Sequence, residues 1–165
     1  MPLKRTNDRK TTVRANDGGT QSLIKNAFSL PSGTNFSCPG ATKFCESVCY
    51  AGRIEKRFPA FLAVAMNNWE ILNDPNEDVL LNLMVMIESF VAECDKRDAP
   101  KLFRWHADGD IFSEDYAKAI ARTCKRHSDV QFWIYTRSFE YVKYIAGINN
   151  LGVYISVDSE NKDMA

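Results

Sequence analysis

The chain has 165 residues, 45% of them hydrophobic and 25% charged, with Lys plus Arg equal to Asp plus Glu at 21 each. That length and mix suit one soluble globular domain with a sizeable core. Zero formal net charge excludes a global field that would draw in a polyanion or an anionic membrane. The longest apolar run, Val79 to Ile87, is interrupted by Asn82 and is too short to span a bilayer. With no signal peptide or transmembrane run, a reducing cytoplasm is the expected compartment, one that keeps thiols available for metal.

In chain order, Met1 to Arg14 carries Lys4, Arg5, Arg9, Lys10 and Arg14 against the single acid Asp8. Residues 1–20 therefore read as a basic flexible arm, a solvated tail that could touch a polyanion. Asn16-Asp17-Gly18-Gly19 is a turn or linker, and Asn26 to Leu30 is a short strand.

Next comes Cys38-Pro-Gly-Ala-Thr-Lys-Phe-Cys45-Glu-Ser-Val-Cys49-Tyr50. Thiolates this close can converge on one soft metal centre, and three of them leave a four-metal cluster one site short of full protein ligation. On a helical turn, the four-residue spacing of Cys45 and Cys49 would put both on one face, with Cys38 reaching in from the loop. Pro39-Gly40 supplies a turn. A disulfide is the poorer reading, because the total of five cysteines is odd and no secretion signal precedes them. The bland alternative is a set of inert buried thiols.

A helix follows with Phe58, Phe61, Leu62, Ala65, Trp69 and Leu72 on one stripe, broken at Asn73-Asp74-Pro75. A second carries Val79, Leu80, Leu83, Met84, Ile87, Phe90, Val91 and Cys94 and ends at Asp98-Ala99-Pro100. Lys101 to His106 is a strand. Ser113 caps a helix with Tyr116, Ile120, Cys124 and His127 along one side. Val130 to Thr136 is a strand, Ser138 caps a short helix ending at Gly147, and Leu151 to Val157 is the last strand. Alternating strands and helices mean parallel pairing under covering helices. The expected fold is α/β: a partial (half) (βα) barrel of about four parallel strands over residues 21–165, since a full eight-unit barrel takes about 250 residues. The chain stops at Asp158-Ser159-Glu160-Asn161, just after a strand, which reads as a short version or a truncation.

In such sheets chemistry gathers at the carboxyl ends of the strands. His106, Asp108, Gly109 and Asp110 follow one strand, Arg137 another and Asp158 the last, while the cysteine loop follows the first. His106 is a metal ligand, a proton relay or a hydrogen-bonded structural residue. Asp108 and Asp110 could bind an ammonium or hydroxyl group, or form a solvated turn; Gly109 would let a ligand approach the backbone. Arg137 offers a planar fork for carboxylate or phosphate, or a surface ion pair. Cys94 and Cys124 lie in apolar stripes and read as buried, and His127 as a helix cap.

Several motifs resemble the mycobacteriophage "gene product 88" family. They are Ser29-Leu30-Pro31 with Cys49-Tyr50-Ala51; Arg104-Trp105-His106 with Gly109-Asp110-Ile111-Phe112-Ser113 and Tyr116; and Tyr135-Thr136-Arg137-Ser138. The likeness runs from about Asn26 to Asp158. Members look like distant relatives of radical S-adenosylmethionine proteins, with a partial barrel and an iron–sulfur cluster. The resemblance implies Cys38, Cys45 and Cys49 as ligands of a 4Fe-4S or 3Fe-4S cluster in the host cytoplasm, and Gly109-Asp110 as a loop near the methionine amino group. The cysteine gaps, x6 then x3, depart from the x3 then x2 of the radical enzymes. Two rivals stand beside an enzyme acting on a small molecule or nucleic acid: a non-catalytic redox or regulatory cluster protein, and a zinc-stabilised binding module using His106 or Cys124 as fourth ligand.

Overall fold

A computed structural model describes residues 2–16 and 22–164. The strands are β1 (Arg5–Thr6), β2 (Val13–Arg14), β3 (Leu23–Ile24), β4 (Ala27–Ser29), β5 (Leu102–Asp108), β6 (Gln131–Thr136) and β7 (Leu151–Ile155). The helices are α1 (Lys43–Val48), α2 (Tyr50–Arg57), α3 (Pro59–Asn73), α4 (Val79–Lys96), α5 (Glu114–Arg126) and α6 (Phe139–Ile145). The main sheet has five strands in the order β1-β4-β5-β6-β7; β2 and β3 form a separate antiparallel pair. Only β1 runs antiparallel in the main sheet, against β4, while β4, β5, β6 and β7 are mutually parallel. The protein is thus mixed α/β with a mostly parallel sheet that does not close on itself.

Each helix forms where its sequence permits it. Asp78 and Ser113 cap α4 and α5, accepting from the backbone N–H groups of Leu81 and Tyr116 and satisfying donors that a helix start leaves orphaned. Pro59 opens α3, where a missing N–H costs nothing. Ser138 stands at the N-cap of α6, yet makes no capping bond with its side chain. His127 is the C-cap of α5.

The core lies between the sheet and α4, α5 and α6. Along β6, Phe132, Ile134 and Thr136 are buried while Trp133 and Tyr135 are half-buried, so one face of the strand is sealed by helices. Phe103 meets Phe90 at 5.1 Å and Phe132 at 6.1 Å between ring centroids, and Trp105 stacks on Phe132 at 5.7 Å. Cys94 and Cys124 are fully buried in this core. Cys124 accepts a hydrogen bond from Trp105 Nε1 at 3.3 Å, and burial pushes its thiol up to about 12.

The basic N-terminal segment differs from its sequence reading: residues 2–16 are folded against the sheet rather than forming a loose arm. Leu3, Thr6, Asp8, Val13 and Ala15 are buried. Arg5 forms an ion pair with Glu93 at 2.8 Å, and the Arg104–Asp8 pair at 2.9 Å is almost wholly out of solvent. The charge run masked the apolar residues on either side of it, Leu3 before and Val13 and Ala15 after, and Asp8 is the acid that ties the segment to β5. Of the expected turn at residues 16–19, Asn16 bonds Arg97 O and Asp98, and residues 17–19 lie outside the described residues.

A candidate site at the carboxyl rim of the sheet

The parallel strands deliver their carboxyl ends to one rim, and a cavity of about 310 Å³ opens there. Its wall takes Cys38, Cys45 and Cys49 from the segment after β4, His106 to Asp110 from the end of β5, Thr136 and Arg137 from β6 and Ser156 from β7. Asp158, expected at the same rim, is not among the residues that line the cavity. None of the three cysteines is in a disulfide.

The cysteine segment is shaped by caps. Thr42 caps α1 by accepting from Cys45 N at 3.0 Å. One helical face does not carry both Cys45 and Cys49, because the helix breaks at Cys49 (φ −57°, ψ 112°). Cys49 instead caps α2, its Sγ accepting from Gly52 N at 3.4 Å. Cys38 arrives from a turned loop, where Ser37 Oγ donates to Pro31 O at 2.7 Å. Burial pushes the Cys38 thiol up to about 12; it also raises Cys45, against the pull of Arg137. Both therefore stay protonated at neutral pH.

Asp110 and Arg137 hold the rim together. Asp110 accepts from Thr136 Oγ1 at 2.6 Å, Ile111 N at 2.7 Å and Arg137 N at 2.7 Å. Burial still pushes its carboxyl up to about 6. Arg137 Nη1 donates to Asp158 Oδ2 at 2.5 Å, and that same oxygen accepts from Thr42 Oγ1 at 2.7 Å. Asp158 thus joins the end of β7 to the cysteine helix and is held below the usual carboxylate range, chiefly by Thr42. These groups strap loops to one another, and much of their bonding capacity is already used.

Asp108 and His106 have capacity left. Asp108 Oδ1 is buried with no hydrogen-bond partner, and burial with Glu55 nearby pushes the carboxyl up to about 6. His106 sits at φ +56°, the left-handed region that β-strand residues avoid. The pairing there is irregular: β4 advances from Ala27 to Ser29 while β5 advances from Arg104 to Asp108. This bulge breaks the alternation, so Trp105 and His106 both reach α5, at Cys124 and Tyr116. His106 Nε2 lies 2.8 Å from Tyr116 Oη and Nδ1 has no partner; burial holds the ring neutral, with its pKa pushed down to about 3. Gly109 (φ +86°) packs so closely that a Cβ would stand 2.5 Å from Ser37 Oγ and 2.7 Å from Leu30 Cβ. Its role is to seat the loop against the cysteine segment.

Sequence reading missed Lys10, Tyr50, Arg104 and Tyr135, all of which line the cavity. Tyr50 donates to Ala107 O at 2.5 Å. A signal for Arg104 was present, since a charge set between Phe103 and Trp105 in a strand needs a buried partner.

Among the described residues no group of three or more His, Cys, Asp or Glu is placed to hold a single metal ion. A cluster gives each thiolate its own iron, so its ligands stand further apart than those meeting at one ion. Three soft donors lining one cavity suit such a group, and so do the polar atoms of His106 and Asp108 left without partners. Among the described residues no helix is long and apolar enough to cross a membrane.

Fold and site together define an α/β protein with a thiol-lined cavity at the carboxyl rim of an open sheet. The chain belongs to the gene product 88 family, which it matches over residues 1–165. It is 48% identical to the Gene 88 protein of Mycobacterium phage D29 over 169 residues, covering 99% of this chain and 70% of the relative. For the Gene 88 protein of Mycobacterium phage L5 the identity is 47%, with 99% and 71% covered. No solved structure matches the chain.

Proposed function

We propose that this is a phage-encoded iron–sulfur protein of the host cytoplasm. In this reading Cys38, Cys45 and Cys49 ligate a 4Fe-4S cluster, which would become 3Fe-4S on losing its unligated iron. The observation that carries it is the meeting of three unpaired cysteines on one cavity wall, beside the end of every parallel strand. The sheet supports a half-barrel reading as well: its parallel strands follow one another in sequence order, whereas a doubly wound sheet reverses order at its switch point.

Bound there, such a cluster would supply an electron and an open coordination position. S-adenosylmethionine is one molecule suited to that position; a redox or regulatory role needs no substrate. Around it the protein's own groups have distinct tasks. Asp110 fixes the loop after β5 to that after β6, Arg137 with Asp158 fixes the cysteine helix, and Asp108 offers an acceptor to a ligand's donor group.

Anaerobic purification with metal analysis and electron paramagnetic resonance tests the proposal. The expected result is a brown protein with iron and sulfide that Cys45→Ala bleaches and Cys94→Ala leaves coloured. A colourless protein with stoichiometric zinc would replace the cluster with a zinc module. Bleaching by Cys94→Ala would overturn the ligand assignment.

A further inference from the structure

A second lobe of about 100 Å³ adjoins the thiol-lined cavity and shares Lys10, Tyr50, Arg104 and Asp108 with it. Its outer wall is the turn Asn7–Lys10, so the basic segment forms the mouth. The fold holds that turn deliberately. Asp8 Oδ1 accepts from Lys10 N at 3.0 Å and Oδ2 from Thr11 N at 3.1 Å, while Asn26 binds both Asp8 N and Thr11 O. Asp8 is anchored in turn by Arg104 at 2.9 Å, with side-chain exposures of 0% and 6%. A buried ion pair contributes little net stability because desolvation offsets its attraction. What it does secure here is the position of Arg9 and Lys10.

Arg9 and Lys10 are exposed and form no ion pair among the described residues. Arg104 Nε is buried without a hydrogen-bond partner. Lys10 Nζ lies 4.5 Å from the centroid of Tyr135, and Arg104 Cζ lies 5.3 Å from the same ring. Tyr154 stacks on Tyr135 at 5.1 Å and 24°, yet is 53% exposed. Cations beside a half-open aromatic stack are the elements that bind phosphate and a flat base together.

From this juxtaposition we infer that the cavity mouth is a nucleotide subsite: Arg9 and Lys10 take the phosphate, Arg104 holds through Asp8 the turn that carries them, and the exposed Tyr154 of the Tyr135–Tyr154 stack takes the base. The inference rests on the proposed function only in treating this cavity as the functional site; it does not depend on what the three thiols hold. The nucleotide comes either free or as the phosphorylated end of a single strand.

Equilibrium binding of adenosine 5′-monophosphate, adenosine and a 5′-phosphorylated tetrathymidylate, at low and moderate salt, tests it. The phosphate should improve affinity over adenosine by about tenfold, the worth of a charge-assisted contact, and salt should erode that gain. Lys10→Glu and Arg9→Ala, both at exposed positions, should remove the gain with the unfolding midpoint little changed. Tyr154→Ala should weaken all three probes. A tetranucleotide that binds tighter than the monophosphate assigns a strand end, and the reverse ranking assigns a free nucleotide. Equal binding of adenosine and its monophosphate, or a Lys10→Glu variant that binds as wild type, would overturn the subsite. Running the same titration on Cys45→Ser separates the two readings: metal lost with the phosphate gain intact supports the subsite, and metal present without any gain refutes it.

Discussion

Asp108 shows how one buried atom can report on a site. Its carboxyl keeps an oxygen without a partner, and its pKa stands at about 6 against an ordinary 3.8. A raised folded-state pKa means that the native protein binds more protons than the unfolded chain between those values. The ionised form therefore destabilises the fold above about pH 6, and the penalty disappears as pH falls towards 3.8. Asp108→Asn should raise stability at pH 7 by about 1–2 kcal/mol, discounting a two-unit shift for the buried amide's own needs. Thermal melts of both proteins across pH 4 to 7 check the sign: the gap should close on acidification. A gap that widened instead would place the carboxylate in a favourable pairing. His106 teaches a related lesson. A histidine at a strand end was read from its residue type alone, yet its direction depends on a bulge that turns it towards Tyr116.

The cysteine segment is fastened at its start. Thr42 and Asp158 fix the start of α1, and Gly40 lies under the loop after β6, where an added Cβ would stand 2.3 Å from Arg137 O. Gly40→Ala must lift the loop away from β6, since backbone cannot yield as a flexible side chain can. Cys38 would then gain solvent and its thiol would fall from about 12 towards its ordinary range. We expect its reaction with a disulfide reagent in metal-free protein to quicken by about tenfold or more, as thiolate is the reactive form. Unchanged kinetics would mean that the loop tolerates the methyl group. The division into α1 and α2 at Cys49 belongs here too. Spacing of four residues marks a helical face only while the helix continues, and a thiol that caps the next helix points by a different rule.

Across the whole molecule, the pair Asp8–Arg104 closes the N-terminal segment onto the sheet. Asp8→Ala would strand a buried guanidinium and remove the acceptor for two backbone N–H groups. It should cost about 3–5 kcal/mol, a large share of the 5–15 kcal/mol typical of a domain. By contrast, Asp95→Ala removes an ion pair with Lys101 whose acid is 60% exposed, so its cost should stay below about 1 kcal/mol. Urea unfolding of the two variants provides the comparison; equal losses would mean that the buried pair is not what holds the segment.

The sequence by itself determined the α/β alternation, because the period of apolar residues switches between strand and helix and Ser113, Pro75 and Pro100 punctuate it. It also determined which strand ends carry polar residues. It did not decide that residues 2–16 fold in, that Arg104 and Lys10 face the cavity, or that Asp110 and Arg137 serve the rim before any ligand. Those outcomes depend on partners 20 to more than 100 residues away, such as Asp8 with Arg104 and Thr42 with Asp158. Local periodicity carries no information about contacts at that separation, whereas desolvation leaves a buried charge few choices but to find them.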